Sequence, residues 1–266
     1  MFKKKKFGQN FLKDKLTLKK IVEIGNINSE SEVIEIGPGD GSLTNEILQK
    51  KPKSLFAVEI DKDLKEILSE IKKKNHNFDF TIADAVNFNE EKIFKNNCII
   101  FSNLPYNIST TLLLKWIFLK KWPPFFSRLI LMFQKEVADR ICAKSGEKNF
   151  GRLSLVTRAR LETKFHFNVS KDLFNPCPKV DSSVISFAVN SETNFNNNEL
   201  MILSNITNII FNKKRKMIGK TLEKLLTPSE RKLVNYDHVK TKRPEDLDFE
   251  FYYSLVKLLS NRKKIS

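Results

Sequence analysis

Seven residues, Glu35-Ile36-Gly37-Pro38-Gly39-Asp40-Gly41, constrain the fold of this chain more than any others. Residues 31–36 before and within them carry Val33, Ile34 and Ile36, the apolar pattern of a short strand. Ser42-Leu43-Thr44 behind them opens a helical pattern. Strand, glycine-rich turn and helix, in that order, form the unit that cradles a nucleotide in doubly wound α/β proteins. The glycines permit positive φ and let a ligand touch backbone where a Cβ would clash.

The spacing is E-x-G-x-G-x-G, not the G-x-G-x-x-G of dinucleotide enzymes, and it resembles the first motif of class I S-adenosylmethionine methyltransferases. Leu55-Phe56-Ala57-Val58-Glu59-Ile60-Asp61 reads as the next strand. Its acid, Glu59, stands where a carboxylate takes both ribose hydroxyls. A third strand, Phe80-Thr81-Ile82, ends at Ala83-Asp84-Ala85, with Asp84 placed to accept from an adenine amine. A fourth, Cys98-Ile99-Ile100-Phe101, delivers Asn103-Leu104-Pro105-Tyr106, after which a helical stretch begins. That tetrapeptide suits a flat heteroaromatic amine. The Asn103 side-chain carbonyl and the Pro105 backbone carbonyl accept from an exocyclic NH₂, and the Tyr106 ring stacks on the base.

These motifs, with others, resemble the ribosomal RNA adenine dimethyltransferase family over nearly the whole chain. Phe7-Gly8-Gln9-Asn10-Phe11-Leu12 resembles its amino-terminal signature, and Glu35 to Gly41, Glu59, Asp84 and the tetrapeptide follow in its order. Gln134-Lys135-Glu136-Val137, Phe150-Gly151-Arg152-Leu153-Ser154, Pro176-Cys177-Pro178-Lys179-Val180-Asp181-Ser182 and Phe211-Asn212-Lys213-Lys214-Arg215-Lys216 complete it. Cys177 stands where the family usually has a third proline.

The resemblance implies a Rossmann-like class I methyltransferase sheet ending in an antiparallel strand pair, plus a small all-helical carboxyl-terminal domain. It implies S-adenosylmethionine as cofactor, held by Asn10, Leu12, Gly37, Glu59, Asp84 and Asn103. The implied reaction is dimethylation of two adjacent adenines near the 3′ end of small-subunit rRNA, within a partly assembled subunit. Asn103, Pro105 and Tyr106 would act on the target base, with Phe174 as the opposite stacking face; plain core packing is the alternative reading of Phe174. Two rivals share the fold: a resistance-type methyltransferase of large-subunit rRNA and a non-catalytic assembly factor. Leu104 and the Phe7-Gly8 pair favour the housekeeping enzyme over the first, and the intact motifs argue against the second.

The patterning divides the chain into a basic arm (1–12), a methyltransferase domain (13–190) and a helical RNA-binding domain (191–266), with 191–198 read as a polar linker. Strands are expected near 32–36, 54–60, 79–83, 97–103, 127–133, 164–169 and 180–189. Helices are expected near 14–25, 42–50, 62–74, 109–121, 135–144 and 151–161. Cys98, Cys142 and Cys177 show no metal spacing, which argues against zinc and disulfides and fits a reducing cytoplasm. No stretch approaches the ~18 apolar residues of a membrane span, and a monomer is expected.

The net charge of +16 favours a polyanionic partner. AT-rich coding drift competes as its source, because 22 Phe stand beside only 4 Tyr. Placement favours binding: on one continuous helix, Lys213, Lys216, Lys220 and Lys224 would share a face opposite Ile218, Leu222, Leu225 and Leu226. Lys3, Lys4, Lys5 and Lys6 read either as phosphate contacts or as a solubilising tail.

Overall fold

The computed structural model describes residues 9–103, 106–190 and 195–262, with the side chains of Tyr106 and Asn107 outside that description. Nine strands and eleven helices follow one another along these residues. The chain divides into two compact units, Met1–Ala138 with Thr163–Val189, and Asp139–Glu162 with Asn190–Ser266.

The larger unit is built on a sheet. After a two-residue strand β1 (Phe11–Leu12) and helix α1 (Lys15–Ile24) come β2 (Glu32–Ile36), α2 (Ser42–Gln49), β3 (Ser54–Glu59), α3 (Lys65–Lys74) and β4 (Phe78–Ile82). Then follow β5 (Cys98–Ser102), α4 (Tyr106–Ile117), β6 (Phe126–Gln134), α5 (Lys135–Cys142) and, after α6 (Arg152–Arg158) of the smaller unit, β7 (Leu161–Val169), β8 (Phe174–Asn175) and β9 (Ser182–Val189). Seven strands join in the order β4-β3-β2-β5-β6-β9-β7. Strands β4 to β6 run parallel, and β9 lies antiparallel to β6 from Arg128↔Ala188 to Gln134↔Ser182.

Helix-covered parallel strands lose water on both faces, so they need continuous apolar runs. β5 supplies one, buried along its whole length, and burial of each such large side chain stabilises the fold by ~1.5–3 kcal/mol. Register then sets function. Ile36 lies opposite both Val58 and Ser102, and Glu59 opposite Ile82. The turns after β2, β3, β4 and β5 therefore emerge along one carboxyl edge. Strand β2 is flanked by β3 on one side and β5 on the other, which is the switch point where such sheets open a crevice.

The smaller unit is helical. It contains α6, α7 (Asn197–Phe211), α8 (Gly219–Leu225), α9 (Pro228–Leu233), α10 (Tyr236–Val239) and α11 (Phe249–Arg262). Aromatic rings hold it together: Phe211 stacks on Tyr252 at 5.9 Å and meets Phe150 edge-on at 6.4 Å, while Phe195 meets Tyr253 edge-on at 5.0 Å.

Four expectations change. Residues 139–162 fall within the expected methyltransferase domain, yet they pack with the helical unit. The Arg152 guanidinium donates to the Ser204 hydroxyl at 3.0 Å, and the Gly146 N–H donates to the Glu245 carbonyl at 2.7 Å. The polar run 191–198 is not all linker: Phe195 is buried, and Asn196 caps α7 in a reciprocal box with Glu199. Residues 197 and 198 open α7, and 191–194 lie outside the described residues.

The lysine face is also interrupted. Helix α7 ends at Phe211 and α8 begins at Gly219, because the Ile218 and Gly219 N–H groups donate to the Lys242 and Lys240 carbonyls. Lys213 and Lys216 lie in the turn between the helices; Lys220 and Lys224 remain exposed on α8. Finally, α4 starts at Tyr106 rather than 109 and closes at Ile117.

Candidate active site

The glycine turn adopts the backbone its composition demands. Gly37, Gly39 and Gly41 have φ of 70°, 59° and 78°, a region that is costly for any residue with a Cβ. Two of the three also have no room for one. A Cβ on Gly39 would stand 2.6 Å from the Phe11 ring, and one on Gly41 would stand 2.3 Å from the Ile71 side chain. The Gly41 N–H closes the turn on the Pro38 carbonyl at 2.9 Å and leads into α2.

Two buried acids brace this turn and the helix behind it. Glu59, at the end of β3 and 3% exposed, accepts from the Gly39 N–H at 3.0 Å through one oxygen and from the Asp61 N–H at 2.9 Å through the other. Burial raises its pKa against the pull of those backbone donors. Glu35, on β2 and 1% exposed, accepts from the Thr44 hydroxyl at 2.6 Å. Burial, assisted by the neighbouring Glu59 and Asp40 charges and opposed by Thr44, pushes its pKa up to about 8. Near neutral pH the Glu35 carboxyl is therefore largely protonated.

The amino-terminal segment closes one side. Phe11 and Leu12 pair antiparallel with Asn175 and Phe174, and the Lys13 N–H donates to the Leu173 carbonyl at 2.9 Å. The Gln9 amide donates to Asp61 at 3.2 Å, and Lys13 forms an ion pair with Asp40. The segment is thus tied to the turns after β2 and β3.

Asn10, Leu12, Gly37, Glu59, Asp84 and Asn103, the six residues expected to hold the cofactor, all line a single cleft with about 1080 Å³ of empty space, its open mouth included. Asp84 is braced by its own turn, accepting from the Val86 N–H at 2.9 Å and from the Asn87 amide at 2.8 Å. The remaining site residues are placed less completely. Pro105 and the side chain of Tyr106 lie outside the described residues. Phe174 is 5% exposed and belongs to the apolar core with Leu12 and Leu18, so in this structure its ring packs and does not line the cleft.

Sequence reading missed Phe11, whose ring forms a wall over Gly39, and Ile108 of α4, which also lines the cleft. Phe11 lies within the amino-terminal signature, but only Asn10 and Leu12 of that segment were expected at the cofactor. The donor set suits S-adenosylmethionine: backbone without side chains at the turn, a strand-end acid for a ribose, and a second acid for an adenine amine. Among the described residues no group of His, Cys, Asp and Glu could hold a metal ion, and no helix is long and apolar enough to cross a membrane.

A parallel sheet with an antiparallel closing strand, and this cleft at its switch point, define a class I S-adenosylmethionine-dependent methyltransferase. Comparison with known proteins agrees. The family described as ribosomal RNA adenine dimethylase matches residues 1–261, and the chain belongs to that family. It is 40% identical over 258 residues to the ribosomal RNA small subunit methyltransferase A of Pelagibacter ubique (strain HTCC1062), covering 96% of this chain and 95% of the relative. A dimethyladenosine transferase crystal structure from Plasmodium falciparum superposes with a TM-score of 0.77 at 28% identity, over 96% of this chain and 98% of that one. The 23S rRNA methyltransferase ErmE shares the fold, with a TM-score of 0.71 at 24% identity over 94% and 100% of the two chains.

Proposed function

We infer that the chain transfers methyl groups from S-adenosylmethionine to the exocyclic amines of two adjacent adenines near the 3′ end of small-subunit rRNA, giving N6,N6-dimethyladenosine. The observation that carries this reading is the convergence of Asn103 with the five other cofactor-side residues on one cleft. The relatives named for small-subunit methylation support it. The substrate is a partly assembled small subunit, the chain acts in the cytoplasm, and it works as a monomer.

When bound, the cofactor supplies an electrophilic methyl group. The chain's task is to position the amine. Adenine's amine is a poor nucleophile because its lone pair is delocalised into the ring. Asn103 accepts a hydrogen bond from one of its N–H groups and the Pro105 carbonyl from the other, and the alkylated amine releases one proton to water. The two acceptors turn the nitrogen lone pair out of conjugation and toward the methyl. Asn10, Leu12, Gly37, Glu59 and Asp84 hold the cofactor on the other side. Tyr106 is the stacking platform, and the target must leave its own stack to reach it. Phe174, the candidate for the opposite face, packs with Leu12 and Leu18 in the core, which favours its reading as plain core packing.

The test is to incubate the protein with labelled S-adenosylmethionine and unmethylated small subunits, with large subunits in parallel, and to identify the labelled nucleoside. Dimethyladenosine from small subunits alone, lost in Asn103→Ala, is the expected result. Label in large-subunit RNA would overturn the substrate assignment. Binding to small subunits without label would leave an assembly factor.

A further inference from the structure

Outside the cleft, a densely bonded polar cluster of the larger unit surrounds Lys115, on the last turn of α4. Its Nζ donates to the Ala85 carbonyl at 2.8 Å, to the Phe88 carbonyl at 2.5 Å and to both Glu90 oxygens at 2.8 Å. Glu90 is 1% exposed and also accepts from the Trp116 indole N–H at 3.2 Å; Trp116 itself is fully buried. Every acceptor of Lys115 lies on the one loop that follows β4 and carries Asp84. Helix α4, which holds Lys115, begins three residues beyond Asn103 and contributes Ile108 to the cleft wall.

With Glu90 buried and the Lys115 side chain 20% exposed, the pair is a poor way to gain stability, because apolar residues in place of a sheltered ion pair serve as well or better. Its value lies in direction: an ammonium shared among two carbonyls and a carboxylate fixes a loop's orientation as apolar packing does not. Asp84 does not touch Lys115, but its neighbour Ala85 does, and Ala83, Asp84 and Ala85 all line the cleft.

We propose that Lys115, working with Glu90, is a positioning residue that aims Asp84 at the cofactor's adenine amine and locks that loop to the helix following Asn103. This rests on the reading of Asp84 as the acceptor of that amine. Loss of the clamp frees the loop to rotate, so recognition of the amine weakens while the glycine turn and Glu59 still hold the rest of the cofactor.

The experiment uses the full chain and two ligands, S-adenosylhomocysteine and S-inosylhomocysteine, the second bearing a ring carbonyl in place of the amine. Calorimetric Kd values are measured for the wild type, Asp84→Asn, Lys115→Met, and the double variant Lys115→Met with Glu90→Gln, which leaves no unpaired buried charge. The wild type should prefer the adenosyl ligand by about tenfold or more, the scale of one hydrogen bond to a charged group. Asp84→Asn should abolish that preference. Both Lys115 variants should lose most of it while remaining folded by thermal melt. General destabilisation would lower both affinities together and leave their ratio intact. Lys115 variants that keep the wild-type ratio would overturn the proposal. A wild type that binds the two ligands equally would overturn the Asp84 assignment, and the proposal with it.

Discussion

The Glu59 carboxylate holds the Gly39 N–H at 3.0 Å, so the acid expected to bind a ribose also fixes the turn beside it. Its second oxygen is committed to the Asp61 N–H at 2.9 Å. Glu59→Gln keeps the shape but has one acceptor oxygen, and one of these backbone donors is left without a partner. The expected cost is ~1–3 kcal/mol of stability, with a Kd for S-adenosylhomocysteine weakened about tenfold or more. Thermal unfolding and calorimetry on the same preparation check both.

Gly39→Ala meets two separate penalties. The φ of 59° costs an alanine ~1–2 kcal/mol, and the new Cβ strikes the Phe11 ring. The substitution is therefore expected to weaken cofactor binding by displacing the amino-terminal segment. Adding Phe11→Leu relieves the contact but not the backbone strain. The double variant should recover part of the affinity and little of the stability, as measured by titration and melting.

Glu35 makes the cofactor-free protein sensitive to alkali. Its pKa rises from 4.5 to about 8 on folding. Between those values the native state retains a proton that the unfolded state has released, so stability falls as pH rises through the window and levels off above it. Glu35→Gln removes the titration and should flatten that decline. Melting temperatures of the two proteins from about pH 5 to about pH 9 provide the measurement. A wild type no more pH-dependent than the variant would refute it.

Legibility followed locality. The turn from Glu35 to Gly41, the acids Glu59 and Asp84, and Asn103 could be placed because each sits where an apolar run stops, and strand ends in a parallel sheet share one edge. The pairing of Phe11 with Asn175 and the grip of Lys115 on Glu90 had no such sign, since each joins distant segments through side chains or backbone unremarkable in sequence. The amphipathic period running from Lys213 to Leu226 misled for a related reason. It continues across the break that Lys240 and Lys242 impose from a later segment, and Gly219 was the only local mark. The cap of α7 was readable: Asn196 followed by Glu199 is a capping pattern, hidden by the polar run around it.

Charge gives a prediction for the RNA side. With a net charge of +16, affinity for the small subunit should fall linearly in log–log plots against salt. Lys220 and Lys224 are exposed on α8. Replacing either with alanine should shallow that slope by about one where it neutralises a phosphate. Filter binding over a salt series reads the slope directly, and unchanged slopes would assign these lysines to solvent.

The short ladder between Phe11–Leu12 and Phe174–Asn175 has a consequence in time as well as in space. Synthesis releases the amino-terminal segment first, yet its partner strand emerges only after all seven sheet strands but the last have been made. Until then Phe11 has nothing to pair with, and the glycine turn lacks its wall. A growing chain thus carries every residue of the glycine motif well before it has an enclosed cofactor cleft, and that enclosure is among the last local structures of the larger unit to form.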